Sequence, residues 1–250
     1  MLKFRICLNL ALCLTVAAAA QNTAVSGENP TETALSKIGK MKVGPKDWPQ
    51  WGGSYSRNNT PDGKNIPTTW DVSTGENIAW SMPLGSETYG NPVVANGKVF
   101  IGTNNGNGYI KRYPSSIDLG CLICIDEKSG EFLWQHSNEK LSTGRVNDWP
   151  HQGICCSPYV EGDRAWYVSS RGHVVCLDTE GFRDGENDGL LTDEKVQEKD
   201  EADVVWSLDM MKDLKVSQHN MCSCSVTCVG ELLFVITANG VDEGHITIPE

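Results

Sequence analysis

Asn91-Pro92-Val93-Val94-Ala95-Asn96-Gly97-Lys98-Val99-Phe100-Ile101-Gly102-Thr103 aligns with Ser157-Pro158-Tyr159-Val160-Glu161-Gly162-Asp163-Arg164-Ala165-Trp166-Tyr167-Val168-Ser169. Ser225-Val226-Thr227-Cys228-Val229-Gly230-Glu231-Leu232-Leu233-Phe234-Val235-Ile236-Thr237 is a third copy. Each reads as a short strand, a tight turn holding a glycine, and a second strand closing on a small hydroxyl or glycine-flanked position. The turn needs a positive φ, which Gly, Asn and Asp adopt with least strain. The copies are offset by 66 and by 67 or 68 residues, depending on where the turn is aligned. Such a period signals stacked repeats.

A second element follows each strand pair. Cys124-Ile125-Asp126-Glu127-Lys128-Ser129-Gly130-Glu131-Phe132-Leu133-Trp134 reads as strand, Asp/Gly turn and strand, closing on tryptophan. Cys176-Leu177-Asp178 repeats its start and Val204-Val205-Trp206 its end, with an insertion rich in Glu and Asp, 179–203, between them. A diverged copy, Asp71-Val72-Ser73-Thr74-Gly75-Glu76-Asn77-Ile78-Ala79-Trp80, precedes the first strand pair. Two hairpins closing on a buried Trp make one four-stranded sheet that cannot bury both faces alone. Stacking such sheets around an axis buries them. The expected fold class is therefore all-β, a propeller of four-stranded antiparallel blades.

The Asp-x-x-Ser/Thr-Gly-x-x-x-Trp element at Asp126 to Trp134 resembles the tryptophan-docking motif of pyrroloquinoline quinone (PQQ) type propeller repeats. The opening Asp47-Trp48-Pro49-Gln50-Trp51-Gly52-Gly53 is similar to the start of exported PQQ-like propeller proteins. The resemblance covers residues 47–250. It implies an eight-bladed ring, of which this chain would hold about three blades as the N-terminal part of a larger protein. An incomplete gene model, or a small ring completed by oligomerisation, are the alternatives.

Lys3 and Arg5, the apolar run Ile6 to Val16 and the small residues Ala17 to Ala20 have the layout of a secretory signal peptide, residues 1–20. A membrane anchor needs about 20 apolar residues. Export to the periplasm or the extracellular space is expected, followed by a polar linker over 21–46. The net charge of −11 argues against a nucleic-acid partner, because phosphate recognition needs clustered Lys and Arg. It gives no reason for anchorage on an anionic membrane either.

Eight cysteines follow the signal, and in a chain long enough to bury a core their pairing cannot be deduced. Cys121 and Cys124 face opposite sides of a strand and cannot converge on one metal. Cys124 and Cys176 share a repeat position and read as core. His219-x-x-Cys222-x-Cys224-x-x-x-Cys228 has ligand-like chemistry, but its spacing fits no common zinc pattern. In the insertion, Asp184-Gly185-Glu186-Asn187-Asp188-Gly189 echoes a calcium loop, yet its twelfth position is Lys195 where a Glu is required. It reads as a flexible surface loop, with weak calcium binding left open.

The candidate site comes from the resemblance. In quinoprotein alcohol dehydrogenases a vicinal disulfide sits against the quinone, and Cys155-Cys156 stands at the same place, after Trp134 and before the strand at Arg164. The alternative is that the two thiols point apart and pair elsewhere or not at all. Trp149 and His151, in the connection leading to the pair, are the aromatics expected to line the ring mouth. Tyr89 stands before Gly90-Asn91-Pro92 where those enzymes carry a Glu, with Glu87 two residues earlier. No Arg follows the cysteines at the family spacing. Asp242 in Asn239-Gly240-Val241-Asp242 loosely matches the calcium-binding Glu, and a solvated turn residue is the alternative reading. No catalytic base can be named. The functional expectation is a binding or scaffold module for a small molecule or protein at the ring mouth. The alternative is a PQQ- and calcium-dependent dehydrogenase oxidising an alcohol or sugar.

Overall fold

The computed structural model describes residues 29–41, 43–57, 59–60, 63–142, 148–218 and 223–237. The signal-peptide stretch, His219, Cys222 and Asp242 lie outside the described residues. The chain divides into two units, 1–40 and 41–250. In the first, helix α1 (Pro30–Lys40) occupies the segment expected to be a polar linker. Its signals are terminal. Asn29 Oδ1 accepts from Thr31 N at 3.0 Å, proline begins the helix, Glu32 lies in the first turn and Lys37 and Lys40 in the last.

Among its described residues, the second unit is built from two four-stranded antiparallel sheets and one hairpin. The first sheet runs β1 (Val93–Ala95), β2 (Lys98–Asn104), β3 (Leu119–Asp126), β4 (Phe132–Glu139) in spatial as in chain order. The second repeats it with β5 (Tyr159–Glu161), β6 (Arg164–Val168), β7 (His173–Asp178) and β8 (Val204–Asp209). β9 (Thr227–Val229) and β10 (Leu232–Phe234) form the hairpin of the third copy. A one-turn helix α2 (Met210–Asp213) follows β8, its N-terminus capped by Asp209. This meander is consistent with a propeller-like fold. No helix among the described residues is long and apolar enough to cross a membrane.

The repeat extends to single hydrogen bonds. Asn91 N donates to Ser157 Oγ at 3.0 Å, and Ser157 N donates to Ser225 Oγ at 3.0 Å, so each copy is tied to the next at one position. Cys124 opposes Trp134 and Cys176 opposes Trp206, and in both sheets the register slips by one residue just after that cysteine. Such a bulge sharpens the local twist. The stretch after Asp47 crosses all three copies: Trp48 pairs with Val94, Pro49 O accepts from Val160 N, and the Tyr55 hydroxyl bonds Tyr159 and the Cys228 carbonyl.

The tryptophans dock as the motif implies. Trp80 Nε1 donates to Glu127 O at 2.8 Å, and Trp134 Nε1 donates to Thr179 O at 3.1 Å. Both acceptors follow the turn-forming aspartate of a β-turn (Asp126, Asp178), whose Oδ1 collects main-chain N–H groups. Each indole lies on a turn glycine. A Cβ on Gly130 would stand 2.6 Å from Trp80, and one on Gly181 2.9 Å from Trp134. Trp134 is fully buried and Trp80 half-buried.

Phe100, Leu122, Cys124 and Trp134 on one face of the first sheet pack with Tyr159, Ala165, Tyr167, Val168 and Leu177 of the second. Val99, Ile101, Cys121, Ile123 and Ile125 fill the opposite face with Trp80 and Tyr109. Cys121 and Cys124 therefore do face apart, and burial pushes both thiols well above their usual range. Cys176 is core as well, its thiol raised to about 12 by burial.

The acidic insertion is anchored at its end, beyond the loop read at 184–189. Gln135 N donates to Asp200 O and Ala202 N to Gln135 O, so residues 200–202 run parallel along the open edge of β4. Arg112 closes a two-pronged ion pair onto Glu201. Covering an outer strand edge removes a template for unwanted pairing.

Candidate functional site

Between β4 and β5 the chain from Trp149 to Ser157 lies across the ends of the first sheet. Ile154 N donates to Thr103 O at 3.2 Å. Gly153 holds φ 68°, and a Cβ there would stand 2.2 Å from the Thr103 carbonyl oxygen. Reciprocally, a Cβ on Gly102 would meet Ile154 O at 2.5 Å, and one on Gly90 would meet Cys156 O at 2.5 Å. Glycines on both sides make room for the cysteine segment.

Thr103 and Asn104, at the end of β2, clamp two segments at once. Thr103 Oγ1 accepts from Gly85 N at 3.0 Å and donates to Glu87 O at 3.0 Å. Asn104 Oδ1 accepts from Ser86 N at 2.9 Å, while its Nδ2 donates to Ser86 Oγ and to His151 O. The sequence marked this strand end only as small and polar. Its role as the site's support depends on contacts across 18 and 47 residues.

Above this support, Tyr89, 59% exposed, donates to Glu87 Oε2 at 3.3 Å, and Gln152 Nε2 donates to the Tyr89 hydroxyl at 3.4 Å. The Glu87 charge, assisted by some burial and by Cys155, raises the Tyr89 phenol. Burial pushes the Cys155 thiol up to about 11, with Lys140 pulling down against Asp148 and Glu87. Buried Asp148 is held by Lys140 Nζ at 2.6 Å and by Leu141 N at 3.0 Å, and burial still raises its carboxyl.

The expected site residues thus separate. Cys155 is half-buried, near Tyr89 and Gln152, whereas Cys156 is in the core with its Sγ 3.1 Å from Val168 O. The Trp149 carbonyl accepts from Lys140 Nζ at 2.9 Å and its side chain is half-buried. His151 is exposed, its main-chain N–H donating to Asp118 Oδ2 at 2.8 Å and its ring Nδ1 3.9 Å from the same oxygen. Among the described residues no three His, Cys, Asp or Glu side chains gather where they alone could hold a metal ion.

A second concavity, of about 290 Å³, lies between β4 and the insertion, lined by Arg112, His136, Ser137, Glu194, Lys195 and Glu201 among others. Beneath it Asn138 Nδ2 donates to the Tyr167 hydroxyl at 2.9 Å, and that hydroxyl lies 2.6 Å from His136 Nδ1. With Asn138 donating, the phenol donates to Nδ1, which fixes the imidazole as its Nε2–H tautomer. Burial, with the charges of His173 and Arg112, lowers the His136 pKa to about 4. The unfolded chain then binds the proton that the folded one refuses, so stability falls as pH drops from about 6.5 toward 4. The His136 ring resonances should titrate near 4 by NMR, and a midpoint near 6.5 would contradict the network. Tyr167→Phe removes the hydroxyl and leaves a buried donor and acceptor facing a void. It should lower the unfolding free energy by about 1–3 kcal/mol in denaturant titrations.

Fold and site together define an all-β repeat of docked tryptophan sheets with a hydrogen-bonding cleft at one sheet end. No protein-family model matches the chain, and no curated protein matches it. Among solved structures it is similar to the crystal structure of quinohemoprotein alcohol dehydrogenase from Comamonas testosteroni, at 12% identity and a TM-score of 0.41. That match covers 74% of this chain and 23% of the other.

Proposed function

We propose that the chain forms successive blades of an exported PQQ-like propeller and acts as a ligand-binding or scaffold module. The cleft of Tyr89, Glu87, Gln152 and Cys155 is its recognition surface, flanked by Trp149 and His151. The observation that carries this reading is the hydrogen-bonded row at the cleft: Gln152 Nε2 donates to the Tyr89 hydroxyl at 3.4 Å and exposed Tyr89 donates to Glu87 Oε2 at 3.3 Å, so a ligand meets donors and acceptors side by side.

The residues present fit PQQ poorly. A tricarboxylate needs cations, and Lys140, whose charge reaches Cys155, is committed to Asp148 and the Trp149 carbonyl. Glu87 and Tyr89 face the same sulfur from the acidic side. Asp242 remains the carboxylate to which a calcium ion would be assigned under the dehydrogenase reading.

Incubation of the full chain with PQQ and calcium, followed by gel filtration, should leave no quinone absorbance with the protein. No dye-linked oxidation of alcohols or sugars should appear. Retained absorbance with turnover would replace the binding reading by the dehydrogenase. Screening a sugar and polyol library by saturation-transfer NMR tests the positive claim. Any binder should lose at least about tenfold in affinity, near 1.4 kcal/mol, in Gln152→Ala.

A further inference from the structure

The insertion carries two buried oxygens that no donor reaches. Asp203 is 1% exposed; its Oδ2 accepts from Asp188 N at 2.8 Å, and its Oδ1 has no hydrogen-bond partner. Asn187 Nδ2 donates to Glu194 Oε2 at 3.3 Å, and Asn187 Oδ1 is likewise without a partner. Glu194 Oε1 accepts from Val204 N at 3.3 Å, beside Asp203 in the chain. These bonds knit Asn187, Asp188, Glu194 and Asp203 into one network. The charges felt at Asp203 are those of Glu194, Asp178 and Asp188, all negative. Arg164 is the cation of the neighbourhood, and its guanidinium bonds Asp178 and Asp188. Asp203 Oδ1 and Asn187 Oδ1 are acceptors only, set among carboxylates. What balances them is a water's O–H, a proton or a cation.

We propose that the insertion binds a calcium ion, with Asp203 Oδ1 and Asn187 Oδ1 as protein ligands, Glu194 as the second carboxylate and water completing the shell. Three acidic side chains do not converge here, so the shell draws on an amide oxygen and solvent. Calcium accepts both in a flexible shell of oxygens, whereas zinc selects nitrogen and sulfur. Few formal charges give weak binding, in the range of about 10⁻⁴ to 10⁻³ M of extracellular calcium modules. The ion would brace the same insertion that covers the edge of β4. The inference is independent of the proposed function, since it involves neither PQQ nor the Tyr89 cleft.

Calorimetric titration of the full chain with calcium chloride, without PQQ, should give a saturable heat. Millimolar calcium should raise the melting temperature relative to EDTA, and equal magnesium should not. Asp203→Asn keeps the shape and should weaken binding at least about tenfold. Asn187→Ala, on a half-exposed loop, should do the same and serves if Asp203→Asn fails to fold. Absence of any calcium response in the parent chain overturns the proposal. So does a response that survives both substitutions, or one abolished only by Asp242→Asn.

Discussion

Trp134→Ala is expected to lower the unfolding free energy by about 3–5 kcal/mol. The indole is fully buried, tilts against Phe100 at 5.9 Å between centroids, and lies on Gly181 of the following sheet. Removing it opens a cavity in the core that joins the two sheets and orphans the Thr179 carbonyl. Trp80→Ala should cost less, because that ring is half-buried and docks at the other face of the first sheet. Guanidinium titrations of both variants check the order. Equal losses would mean that burial between sheets is not what makes the docked tryptophan matter.

Gly153→Ala is the second large effect, expected at about 3 kcal/mol or more. The residue sits at φ 68°, where a side chain costs about 1–2 kcal/mol. Its Cβ would also stand 2.2 Å from a main-chain oxygen that has no freedom to move. Overpacking of that kind adds about 1–3 kcal/mol. Gly162→Ala is the control: its φ is 59°, but nothing lies within 4 Å of the added carbon, so only the backbone strain remains. The Gly153 variant should also expose Cys155 to alkylation, because the segment bearing it is displaced. Thermal melts and thiol labelling with iodoacetamide separate the two. If Gly153→Ala and Gly162→Ala lose the same stability, the close approach of residues 153 and 103 is not the constraint described.

How far the sequence reached is visible in particular residues. The equivalence of Cys124 and Cys176, each opposite the Trp of its sheet's last strand, was legible because strand alternation and a fixed period are local properties of the chain. The same holds for the Asp-to-Gly turn at Asp126, whose carboxylate bonds N–H groups two and three residues on, whereas the matching turn at Asp178 shows only in the structure. Helix α1 was missed because its signals are a capping Asn and a first-turn Pro rather than an apolar stripe. The anchoring of the insertion's end at 200–202 was not legible because its partners, Gln135 and Arg112, lie 65 and 89 residues away.

At the site, sequence analysis singled out Cys155, Cys156, Trp149 and His151 but could not tell which would share an environment. Adjacent positions on a chain that is neither strand nor helix carry no parity, so packing alone sends Cys156 into the core and leaves Cys155 at the cleft. Thr103 and Asn104, the residues that hold the cleft together, had no distinguishing sequence signal.

By itself, then, the amino-acid order determined the repeat, the all-β class and which tryptophan closes each strand pair, because each depends on spacing within a single unit of about 66 residues. Only the tertiary structure decided which edges are covered, which cysteine is reachable and where acceptors are left without donors. Those properties belong to pairs of units, and they exist only once one sheet has come to lie on the next.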